Sequence, residues 1–113
     1  MKNFTMYSGD SKDIRIDVTD ADGEPANLAT PVAVRWQLAR SATQEPLISK
    51  SLEDGEITMD GASSFIVTLA PEDTIELSGK YYHEAEVILI GGIVATVVSG
   101  TARVLPALIP PEE

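Results

Sequence analysis

Four stretches of the chain alternate apolar and polar residues with a period of two. Ile14, Ile16 and Val18 alternate with Asp13, Arg15, Asp17 and Thr19. Val32, Val34, Trp36 and Leu38 alternate with Ala33, Arg35, Gln37 and Ala39, and Phe65, Val67 and Leu69 with Ser64, Ile66 and Thr68. Tyr81, His83, Ala85, Val87 and Leu89 share one set of positions, with Tyr82, Glu84, Glu86 and Ile88 on the other. A period of two is that of a strand with one face buried and one wet. Weaker runs predict further strands at 4–7, 47–52, 56–59 and 93–104, the second near a sheet edge because of its Lys and Ser content. Turn residues separate the runs at 8–11, 20–25, 53–55 and 60–63. Leu28 is an isolated apolar anchor in a connection, Gly91-Gly92 predicts a tight hairpin, and Gly100 a bulge or a close backbone approach. No helical stripe exceeds one turn. The pattern predicts an all-β fold, a sandwich of about seven or eight short strands.

The chain is organised around residues 70–87, APEDTIELSGKYYHEAEV. Pro71 suits the first position of a short helical turn, where its missing N–H is not needed. Glu72 and Asp73 follow at the positive end of that turn. Ile75 and Leu77 are then expected to point into the core, and Gly79 to supply a positive φ before the strand that carries Tyr81. A helical turn leading through Gly into a Tyr-bearing strand is how sandwiches cross between sheets at the E–F corner. A plain loop before an edge strand is the alternative. Trp36 sits mid-strand, where a sandwich core carries its largest side chain.

Composition narrows the function. At 113 residues the chain is one domain, and without cysteine it has neither a disulfide framework nor a thiolate metal site. A net charge of −10 opposes binding to nucleic acid or to anionic lipid, and the eight Lys and Arg are scattered. No apolar run is long enough for a membrane span, and the N-terminus lacks the apolar segment of a signal peptide. Asn3-Phe4-Thr5 matches a glycosylation sequon, read here as chance.

Candidate chemistry is sparse. Asp20, Asp22 and Glu24 are spaced in a way that suggests a calcium loop, but the third early ligand is lacking and no Glu stands where the full loop needs one, so a turn is the better reading. His83 is the sole histidine and is expected to be a satisfied structural residue on the inner face. Glu84 and Glu86 share a strand face, which a glycosidase pair also would, yet a solvated face explains them as well. No catalytic residue, metal or cofactor is expected. The tail 106–113 is Pro-rich and expected to be extended. Phe4, Tyr7, Leu105, Leu108 and Ile109 are the candidate partner contacts, by strand addition or tail docking, with a frayed tail as the alternative.

The segments GDSKDIRIDVTDADGEP, VAVRWQLAR, LISKS, LAPEDTIELSGKYYHEAEV and VSGTARVLP together resemble the small immunoglobulin-like virion proteins of tailed bacteriophages. The layout is similar to that of the N-terminal domain of the phage baseplate upper protein. Asp73, Thr74, Leu77, Gly79, Tyr81 and Glu84 carry most of the resemblance. It implies an Ig-like antiparallel β-sandwich over residues 1–105, with one helical turn near 71–77. It also implies a non-enzymatic role in the virion, binding capsid, connector or tail proteins in multiple copies or as a homo-oligomer. The short chain favours capsid decoration, a neck role or a tail accessory over a baseplate role. A carbohydrate- or cell-surface-binding module is the rival expectation.

Overall fold

The computed structural model describes residues 3–19, 22–24, 33–61, 63–89 and 93–106. In chain order its elements are β1 (Phe4–Tyr7), β2 (Lys12–Asp17), β3 (Ala33–Ala39), β4 (Pro46–Ser51), β5 (Ile57–Met59), β6 (Ser64–Leu69), α1 (Pro71–Thr74), β7 (Gly79–Leu89) and β8 (Ile93–Leu105). They form two sheets, one in the order β1-β8-β7-β3-β4 and the other β2-β6-β5. In immunoglobulin lettering, β2, β6 and β5 hold places B, E and D, while β8, β7, β3 and β4 hold G, F, C and C′. The fold is an all-β sandwich of this type. One pair departs from the antiparallel rule: β1 lies parallel to β8, Phe4 opposite Ala102 and Tyr7 opposite Leu105.

Alternation in the sequence becomes burial in the fold. Ile14, Ile16, Phe65, Val67 and Leu69 of the smaller sheet face Val34, Trp36, Leu38, Ala85, Val87 and Val104 of the larger, all buried. Large and small residues meet across neighbouring strands. Trp36 pairs with Ala85, His83 with Gly100, and Tyr81 with Ala102. Paired residues point to the same face, so each ring lies beside a position with little or no side chain.

The corner between β6 and β7 carries the chain from one sheet to the other. The Asp73 backbone N–H donates to the Ala70 carbonyl at 3.0 Å, and its carboxylate accepts the Ala70 N–H at 2.7 Å. This reciprocal loop closes the single turn of α1 without a Ser or Thr cap. Gly79 has φ +110°, and a Cβ there would meet nothing within 4 Å, so backbone conformation alone calls for glycine. The Tyr81 hydroxyl donates to the Ser78 carbonyl at 2.9 Å and accepts the Ser78 N–H at 3.0 Å. This is the tyrosine corner of Ig-like sandwiches.

Several local expectations change. Ile75 is 43% exposed instead of inward. The helix stops at Thr74, and Thr74, fully buried, takes the inward place, its hydroxyl accepting the Gly9 N–H at 3.0 Å. Leu77 is partly buried against the core, as expected. The bulge is not at Gly100. Ala85 faces Val98 while Glu86 faces Thr96, so Val97 is the extra residue. β8 runs one residue past the expected 93–104, to Leu105. Leu28, Gly91, Gly92 and the tail 107–113 lie outside the described residues.

Tyr81→Phe removes both corner bonds and leaves the Ser78 groups seeking water. It should cost about 1–2 kcal/mol. Urea denaturation followed by Trp36 fluorescence measures it, and an unchanged midpoint would show that the hydroxyl contributes nothing.

Candidate functional site

The polar groups of the interior are engaged in structure. Trp36 and His83 are both fully buried, and the indole N–H donates to His83 Nδ1 at 3.0 Å. Nδ1 is therefore an acceptor, which places the proton of the neutral ring on Nε2. Phe4 meets the same imidazole edge-on at 5.1 Å, with the Lys12 ammonium 5.9 Å from the Phe4 ring centroid. Among the described residues no three of His, Asp and Glu come together as a metal-sized cluster. Asp20, the first carboxylate of the candidate calcium loop, lies outside them.

On the outer face of the five-stranded sheet, Glu86 binds Arg35 at 2.6 Å and Glu84 accepts the Tyr82 hydroxyl at 3.1 Å. The Tyr82 phenol is held above its ordinary pKa, first by partial burial and then by the bond to Glu84 and its charge. Arg35, Gln37, Glu84 and Glu86 line a shallow cavity of about 140 Å³. That volume is small against the few hundred Å³ of a usual ligand pocket. Lys80 and Arg103 sit directly opposite each other near Asn3, Thr5 and Thr101, around an open depression of about 440 Å³. No helix among the described residues is long and apolar enough to cross a membrane.

The expected partner contacts fare differently from one another. Tyr7 is 52% exposed. Phe4 and Leu105 are half-buried, Phe4 packed onto the core and Leu105 opposite Tyr7 in the β1–β8 pair. Leu108 and Ile109 lie outside the described residues. Of the corner set, Asp73, Thr74, Leu77, Gly79 and Tyr81 come together around α1, while Trp36 stands apart in the core beside His83.

The sheet edges are unequal. β4 is an edge strand, as expected, but its lysine is not what faces solvent. Lys50 points inward with its side chain 7% exposed, and binds Asp73 at 2.8 Å and Glu56 at 2.9 Å. Burial alone would lower its pKa. The hydrogen bonds and charges of Asp73 and Glu56 outweigh that and hold the ammonium above its ordinary value. An inward charge of this kind discourages a foreign strand from docking on the edge. The parity was readable: Lys50 shares its face with Ile48, which is buried. The β1 edge is short, and past it Asn3 Oδ1 accepts the Thr101 N–H at 2.9 Å. Nothing local in the sequence marks that contact, which spans nearly the whole chain.

No protein-family model matches the chain, and none of the curated proteins compared with it matches.

Lys50→Ala strands two carboxylates at the corner. It should cost about 2 kcal/mol, between the small worth of exposed pairs and the larger loss when a buried pair is broken. The folded-state pKa is raised, so the ammonium's contribution is complete below the unfolded-lysine value of about 10.4 and is lost as pH rises through the folded one. Urea denaturation of both proteins from neutral pH to about pH 11 should show the stability gap closing. A gap that does not change with pH would take the charge out of the account.

Proposed function

We propose that this protein is a non-enzymatic structural component of a tailed-phage particle, an Ig-like sandwich that binds other virion proteins in many copies. It acts as capsid decoration, or as a neck or tail accessory. The observation that carries the reading is where the reactive side chains go. The sole histidine is fully buried and bonded to the indole, Asp73 and Lys50 are consumed in the corner, and Glu86 is paired with Arg35. Among the described residues, what the molecule offers outward besides solvated charges is backbone at sheet edges and a few apolar side chains, Tyr7, Leu47 and Ile75. Such surfaces suit protein partners. Each contact can be weak, because repeated attachment to a lattice multiplies it. The acidic surface suits basic patches on a partner and resists unspecific binding to packaged nucleic acid.

The rival, a glycan-binding module, needs aromatic rings presented to a sugar. Of the six aromatic side chains, Trp36, Phe65 and Tyr81 are buried, Phe4 and Tyr82 are half-buried, and Tyr7 alone is exposed. A single exposed ring makes a poor stacking platform.

The test is co-expression with the proteins encoded by neighbouring genes, followed by sedimentation and by mass spectrometry of purified particles. The expected result is a stoichiometric band that travels with heads or tails. Absence from the particle overturns the reading, and a glycan-array signal in its place supports the rival.

A further inference from the structure

Among the described residues, one edge of the larger sheet lacks the protection the others have. β8 runs for 13 residues, and β7 covers one side of it from Ile93 to Val104, with Val97 bulged out. On the other side β1 covers only Ala102 to Leu105, and the Asn3 carboxamide extends that cover to Thr101. No described strand pairs with the same side between Ile93 and Gly100. The direction of the backbone groups follows from Asn3. The Thr101 N–H points away from β7, so two residues back the Ser99 N–H and C=O point the same way. Ser99 therefore presents a donor and an acceptor to whatever lies beyond.

The residues along this stretch, Ile-Val-Ala-Thr-Val-Val-Ser from 93 to 99, have no charge and no proline. Five of the seven are the β-branched Ile, Val and Thr that favour strands. The other described edges carry deterrents, and β1 is only four residues long. β4 begins at Pro46 and turns Lys50 inward, β2 displays Lys12, Asp13, Arg15 and Asp17, and β5 is three residues long. These are the devices by which sheets avoid pairing with strangers. On β8 only the irregularity at Val97 interrupts the ladder.

We infer that residues 93–100 of β8 pair antiparallel with the same stretch of a second copy, joining two five-stranded sheets about a two-fold axis. The occupant follows from charge. A chain of net charge −10 repels its own kind over most of its surface, and this edge is a place where two copies meet without opposing charges. The nearest carboxylates on the outer face are engaged, Glu86 by Arg35 and Glu84 by the Tyr82 hydroxyl. A charged peptide would find no opposite charge along the stretch, and a proline-rich one would lack the N–H groups the ladder needs. A strand paired antiparallel with itself is self-complementary, as a two-fold interface requires. The inference adds a self-association to the multi-copy reading above. It is tested on the isolated protein, so its failure and that of the virion reading are separate results.

Sedimentation velocity over about 5–200 µM should show a reversible monomer–dimer equilibrium. It should tighten as salt rises, because screening relieves the repulsion of two acidic bodies. Thr96→Lys adds a charge to the edge, and Ser99→Pro removes the outward N–H. Each should weaken the dimer at least about tenfold, with Trp36 emission as in the parent protein. Leu47→Lys on the β4 edge should leave the dimer as it was. The Ser99 amide should exchange more slowly as protein concentration rises. A monomer throughout the range overturns the inference. So does a dimer that survives both β8 variants, one that Leu47→Lys breaks, or one that salt dissolves.

Discussion

A buried indole N–H must find an acceptor, and in this sandwich the acceptor is the ring of His83. The bond joins β3 to β7 at the centre of the larger sheet, between two side chains with no exposed surface. An unsatisfied donor at that depth would cost more than the bond itself contributes. The pairing therefore restricts what else can be there. The imidazole stays neutral with Nδ1 bare, and the strands beside the two rings carry Ala85 and Gly100, which leave space for them. Phe4 closes the group from β1. A histidine in this position is a core residue, and its chemistry is spent on orientation.

The second constraint is at the corner. Four contacts converge on one turn of helix: Asp73 with the Ala70 backbone, Lys50 with Asp73, Thr74 with Gly9, and Tyr81 with Ser78. They tie together the β4 edge, the turn that follows β1 and the start of β7. Two sheets that pack through apolar side chains are thus also fixed by directional bonds at one end. Apolar packing sets how closely the layers approach, and the corner sets which residues oppose which.

Most of the fold was legible because its signals are local. The alternation in 13–19, 65–69 and 81–89, Pro71 at the head of the turn and Gly79 at its exit each act within a few residues. The failures were of another kind. Ile75 was expected inward because an apolar residue follows a turn, but a helix that stops at Thr74 hands the buried place to a threonine with a backbone partner 65 residues away. Lys50 was read by its charge and not by its parity. The parallel pairing of β1, the reach of Asn3 and the extra residue at Val97 depend on which strand lies alongside, and a single sequence does not state that. Of the proposed contact surface, composition pointed to edges and ends. Only the pairing register separates a guarded edge from an open one.

The parallel pair at the two ends of the sandwich also governs how the molecule responds to load. β1 enters beside Ala102 and β8 leaves beside Tyr7, so a pull applied ahead of Phe4 and behind Leu105 draws the two strands past each other along their length. The connecting bonds are then strained together, in shear, where an antiparallel hairpin pulled from its open end would unzip one rung at a time. The four residues of this fastening therefore meet such a pull side by side and not in series.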